Sequence, residues 1–101
     1  MDYQKTLWKT VVLAILIPLL YSFIYIAFVY FDTDSFKGLC PESPYFDYVY
    51  FSYITFTTTG YGDIYPISIL AKIIVLSEII LGITFIALII FLNFRRISKR
   101  Q

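Results

Sequence analysis

The sequence predicts an all-α membrane protein in which two spanning helices flank a short re-entrant helix and a glycine-punctuated strand. Three observations carry that expectation. The first is the segregation of charge: Val11 to Phe31 holds no Asp, Glu, Lys or Arg. At 1.5 Å per residue this run is about 31 Å long, enough to cross the hydrocarbon core of a bilayer. The second is a longer apolar run, Ile67 to Phe94, interrupted only by Lys72 near its start and Glu78 within it. The third lies between them. Tyr45 to Thr57 forms a helix of only about 20 Å, too short to span, and leads into the polar run Thr57-Thr58-Thr59-Gly60-Tyr61-Gly62-Asp63.

Composition narrows the function classes. Hydrophobic residues make up 59% of the 101 residues and charged ones 15%, too greasy for an ordinary soluble domain of this size. There is no histidine and a single cysteine, which excludes His/Cys metal sites and histidine-dependent catalysis within one chain. No constellation for an enzyme is present, no cofactor is implied, and nucleic acid is not an expected partner.

In chain order, a mildly basic start (Lys5, Lys9) precedes an outer helix over about 8–31, with Trp8 at the membrane–water boundary. A signal peptide is the competing reading, but the apolar run is too long and no small-x-small cleavage site follows it. Pro18 removes a backbone donor and predicts a kink. Tyr21, Tyr25, Tyr30 and Phe31 are expected to form an aromatic belt.

Residues 32–43 read as a polar, exposed turret with Gly38, Pro41 and four charged residues. Cys40 reads as a free thiol, with an intersubunit disulfide as the alternative. Ser43-Pro44 offers a cap and a first-turn proline for the short helix, about 44–57. Pro66 is expected to open the inner helix, about 66–96, where Lys72 can snorkel outward.

Gly82 in mid-helix is costly unless a hinge or close packing requires it. Ile83, Ile86, Ile90 and Phe94 recur at helical spacing, facing either an aqueous cavity or the outer helix. Glu78 is the least expected residue, since a carboxylate inside a bilayer is expensive and usually functional. It reads either as a brace bonded to hydroxyls such as Thr55 or Thr57, or as a neutral acid. The tail, residues 95–101, is basic and with Lys5 and Lys9 marks both ends as cytoplasmic. It suits anionic lipid headgroups. Asp32, Asp34, Glu42, Asp47 and Asp63 outnumber Lys37 on the opposite side, giving an acidic outer face that concentrates cations.

The motif at 57–63 has its own physical logic. Irregular backbone inside a membrane is tolerated where it lines a cavity or is buried in protein. Alternating left- and right-handed backbone angles point successive carbonyls the same way, and Gly60 and Gly62 reach positive φ cheaply. The carbonyls of Thr58, Thr59, Gly60 and Tyr61 then form a row fit to coordinate a bare cation.

Thr58-Thr59-Gly60-Tyr61-Gly62, followed by Asp63, resembles the selectivity filter of potassium channels. The whole chain is similar to the pore-only potassium channels with two transmembrane helices. That resemblance implies a fourfold-symmetric homotetramer in a membrane, the plasma membrane being the expectation. It implies K+ as permeant ion, held at Thr58, Thr59, Gly60 and Tyr61, with the Thr58 hydroxyl as an inner ligand and 58–63 as the filter. It implies support from Asp63, Tyr50, Phe51 and Glu78, a gating hinge at Gly82, and a cavity lined by Ile83, Ile86, Ile90 and Phe94. Tyr65 falls at the outer blocker site. Three departures stand out: Thr59 where relatives more often carry valine or isoleucine, Tyr50-Phe51 in place of two tryptophans, and Ile54 where some carry a carboxylate. A weakly selective cation channel of the same architecture and a non-conducting membrane scaffold are the rival readings.

Overall fold

Five elements follow one another in the computed structural model, which describes residues 3–100: α1 (Tyr3–Phe31), β1 (Phe36–Lys37), α2 (Tyr45–Phe56), β2 (Tyr65–Pro66) and α3 (Ile69–Arg100). Gln101 and the side chains of Arg96, Ser98, Lys99 and Arg100, all part of the expected basic tail, lie outside the described residues. Two long apolar helices thus flank a short helix and a strand pair. Gln4–Phe31 and Ile69–Arg95 are each long and apolar enough to cross a membrane, and the molecule measures 54 × 19 × 19 Å.

The helices meet along narrow stripes. On α1 the inward residues are Pro18, Ser22, Tyr25 and Val29; on α3 they are Ala71, Val75, Glu78 and Gly82. Both follow the three-and-four spacing that puts side chains on one helical face. The short helix α2 wedges between them, burying Tyr48, Phe51, Ser52, Ile54, Thr55 and Phe56. Its upper half meets an aromatic cluster in which Phe51 packs edge-on against Tyr25 (5.2 Å between centroids) and Phe36 (5.4 Å). Such edge-to-face pairs add to plain area burial.

Four sequence-based expectations are corrected here. Tyr25 is no belt residue: it is fully buried, because its ring joins this cluster and its hydroxyl meets Glu78. The turret is not merely an exposed loop. Phe36 and Leu39 are buried, and β1 pairs antiparallel with β2 in the register Phe36↔Pro66 and Lys37↔Tyr65. Ser43 does not cap α2. Pro44 occupies the N-cap position, and Ser43 instead accepts the Cys40 N–H at 3.0 Å. Pro66 ends a strand rather than opening α3. The helix starts at Ile69, where the Ser68 hydroxyl accepts the Ala71 N–H at 3.1 Å, the usual serine cap.

Candidate functional site

Helix α2 ends at Phe56, and the chain turns back on its last carbonyls. Thr58 N–H bonds Thr55 O (3.1 Å), while Thr59 N–H (2.8 Å) and Gly60 N–H (3.1 Å) share Ile54 O. These bonds satisfy carbonyls that a helix C-terminus leaves open. The Thr57 hydroxyl donates to Tyr53 O (2.7 Å) and lies 2.9 Å from the Thr59 hydroxyl. Thr59 is thereby tied to its own chain.

From Thr58 to Gly62 the backbone alternates. Thr58 (φ 62), Gly60 (φ 54) and Gly62 (φ 89) are left-handed, and Thr59 and Tyr61 are not. Gly60 and Gly62 were the two residues expected there. Thr58 was not, because a threonine at positive φ is uncommon and nothing in the sequence announces it. A Cβ built on Gly60 or Gly62 meets nothing within 4 Å, so conformation rather than crowding calls for glycine. All five residues are exposed in the single chain. The Thr58 hydroxyl turns to Thr57 O (2.6 Å).

At the outer end, Asp63 accepts the Tyr50 hydroxyl at 3.0 Å and its own neighbour's Ile64 N–H at 3.1 Å. Partial burial, and then the bonded Asp63 carboxylate, hold the Tyr50 phenol above its ordinary range. Gly38 (φ 93) of the turret lies so close that a Cβ there would stand 2.8 Å from Asp63 O. Ser35 O receives Ile67 N–H (2.7 Å). The turret therefore grips the segment that follows Asp63. Tyr65 lies half exposed on β2, opposite Lys37. Phe51, named above among the supporting residues, packs in the aromatic core against Tyr25 of α1 and Phe36 of β1.

Behind the strand, Glu78 has no exposed surface. Its partners are not Thr55 or Thr57. Glu78 Oε1 accepts the Tyr25 hydroxyl at 2.6 Å, and Oε2 lies 2.6 Å from Ser52 Oγ, one turn nearer the start of α2. Sequence reasoning missed Ser52 and Tyr25; their only signal was membership of the inward three-and-four stripes. One turn on, Gly82 meets the end of α2 so closely that a Cβ would stand 1.9 Å from Phe56 O. This close approach accounts for the glycine without a hinge. Ile83, Ile86, Ile90 and Phe94 all lie exposed in the single chain. Among the described residues no cluster of His, Cys, Asp and Glu is arranged to hold a metal. Cys40 is a free, exposed thiol.

Comparison with known proteins places this geometry. A family profile described as "Ion channel" matches residues 10–99, nearly the whole chain. Two-pore potassium channel 4 of Arabidopsis thaliana is 34% identical over 83 residues, covering 82% of this chain and 29% of that protein. Potassium channel K2 of Plasmodium falciparum (isolate 3D7) is 57% identical over 30 residues, or 30% of this chain and 2% of that protein. The chain thus spans less than a third of the length of these curated relatives. No solved structure matches it. Its two spanning helices, in such a domain, make it an integral membrane protein. The chain belongs to the ion channel family, as a pore domain with potassium-channel homologues and not an enzyme.

Proposed function

We propose that the chain is the pore subunit of a potassium-selective channel. The observation that carries this reading is the left–right alternation of the backbone along Thr58-Thr59-Gly60-Tyr61-Gly62. Such alternation aims successive carbonyls to one side, and carbonyl rings replace the hydration shell of K+ in channels of this kind. One chain supplies one row of carbonyls, so closing a cage takes several copies; a fourfold homotetramer is the arrangement proposed. The exposure of the whole strand in a single chain supports this, since an unpaired polar strand within a membrane needs partners.

Conduction is then passive. K+ sheds water, passes between the rings of Thr58, Thr59, Gly60 and Tyr61, and leaves under repulsion from the ion behind. The Thr58 hydroxyl, released from Thr57 O, adds a ligand at the inner end. Asp63 and Tyr50 hold the outer end, Glu78 braces the helix behind, and Gly82 seats the end of that helix. The exposed stripe Ile83, Ile86, Ile90 and Phe94 lines the inner cavity. Both termini lie on the cytoplasmic side of the cell membrane, where the basic tail meets anionic headgroups. A bi-ionic reversal potential in planar bilayers tests the reading. A strong preference for K+ over Na+ is expected. Near-equal permeability would leave a weakly selective cation pore, and absence of current a non-conducting scaffold.

A further inference from the structure

Three oxygen–oxygen contacts run in series through the junction of the three helices. Tyr25 Oη lies 2.6 Å from Glu78 Oε1, Glu78 Oε2 lies 2.6 Å from Ser52 Oγ, and Ser52 Oγ lies 2.6 Å from Pro18 O. Tyr25, Ser52 and Glu78 have no exposed surface, so bulk water does not reach these contacts. At such a distance two oxygens need a proton between them; without one, lone pair faces lone pair. The donors can be counted. The tyrosine and serine hydroxyls carry one proton each, and the Pro18 carbonyl carries none. Tyr25 serves the first contact. Ser52 can serve only one of the other two. An ionised Glu78 therefore leaves one 2.6 Å contact without a proton.

We infer that Glu78 is a neutral carboxylic acid whose Oε2–H donates to Ser52, while Ser52 donates to Pro18 O. The chain then runs in one direction, Tyr25 to Glu78 to Ser52 to Pro18, with every contact filled. The surroundings agree. The titratable groups on the facing stretch of α1 are Tyr25 and Tyr21, the latter bonded to Ser77 at 2.8 Å, and α2 presents the Ser52 hydroxyl. No cation is bonded to Glu78, and an unpaired carboxylate buried there is costly.

The place where the chain ends gives it a use. Pro18 deprives its turn of α1 of one helical donor, and neighbouring hydroxyls commonly repair such turns in membranes. The bond lost here is the one to the Ala14 carbonyl, four residues back; α2 ties down the same stretch at two other carbonyls, Pro18 O through Ser52 and Ile15 O through the Tyr53 hydroxyl (2.6 Å). Ser52 lies two residues before Ile54, whose carbonyl carries the Thr59 and Gly60 amides. The protonated Glu78 is thus a positioning residue. It sets the depth and rotation of α2, and through α2 the start of the strand 58–62; this last step rests on the conduction reading above.

The protein contains two glutamates, Glu42 and Glu78. Labelling glutamate with carbon-13 at the side-chain carboxyl in the E42Q variant of this 101-residue chain leaves Glu78 as the one labelled carboxyl side chain. The isotope-shifted infrared band at neutral pH is expected to be the carbonyl stretch of a carboxylic acid. A labelled carboxylate stretch in its place overturns the inference, whether or not the protein conducts. A second arm reads position. E78Q keeps a donor toward Ser52 and an acceptor for Tyr25, so it should hold the wild-type reversal potential. E78A removes both and should shift that potential toward zero selectivity or abolish the tetramer. E78A indistinguishable from wild type overturns the positioning role, and so does E78Q failing as E78A does.

Discussion

The two ends of the strand at 57–63 are held by different means. The inner end hangs on backbone: the amides of Thr58, Thr59 and Gly60 bond the last carbonyls of α2, and Gly82 of α3 presses on Phe56 O. The outer end depends on the exposed Asp63 carboxylate, bonded to the Tyr50 hydroxyl and the Ile64 N–H, and on a turret held by a two-residue strand pair and the Ser35 carbonyl. Backbone bonds at the inner end survive most side-chain changes, and the vulnerable point there is a single glycine. At the outer end each side-chain contact stands alone. The inner end should therefore govern assembly and selectivity, and the outer end the lifetime of the conducting state.

Substituting Gly82 tests the firm end and should have the largest effect. In Gly82→Ala the new methyl lands 1.9 Å from Phe56 O, against backbone that cannot rotate away. Overpacking of this kind costs about 1–3 kcal/mol per site, repeated in every subunit. Loss of the proposed tetramer on size-exclusion chromatography, or loss of the proposed K+ selectivity in the survivors, is expected. A tetramer with wild-type selectivity and changed open probability would instead make Gly82 a hinge.

Gly38→Ala tests the other end at intermediate strength. The left-handed φ of 93° penalises any side chain by about 1–2 kcal/mol, and the methyl meets Asp63 O at 2.8 Å. Assembly and ion preference should survive, while current under sustained activation decays faster than in wild type. Unchanged decay would show that the turret does not act on the strand. Tyr50→Phe should be the mildest, removing one exposed hydrogen bond of about 0.5–1.5 kcal/mol. The same recording should show a smaller acceleration of decay. If Tyr50→Phe outweighs Gly82→Ala, the ranking of the two ends is inverted.

How much of this was legible depends on how local the signal is. The two spans and the short helix follow from runs of apolar residues, and the left-handed positions at Gly60 and Gly62 from the one residue type that favours them. Tyr25 was misread for a physical reason. In a membrane a helix is apolar toward lipid and toward its neighbours alike, so hydropathy does not say which face packs. The Glu78 partners were hidden likewise, since Ser52 and Tyr25 lie 26 and 53 residues from it and share no local pattern with it. β1 escaped because its pairing joins two-residue segments across the whole re-entrant stretch. Ser68, a legible cap, was passed over for Pro66, whose missing N–H suits a first helical turn equally well.

The pairing of Phe36 with Pro66 and of Lys37 with Tyr65 makes residues 38–64 a closed loop containing α2 and the strand beyond it. Closing a loop has an entropy that rises only with the logarithm of its length, about 0.6 kcal/mol for each doubling. Lengthening the stretch between Leu39 and Pro44 is therefore cheap, and this part of the chain can vary in size without loosening what lies inside the loop. The clasp itself has no such latitude. Two paired residues are too few to hold by hydrogen bonding alone, so closure depends on Phe36 finding its place between Tyr25, Phe28 and Phe51. A buried phenylalanine thus acts as the latch of a purse whose string can be cut to many lengths.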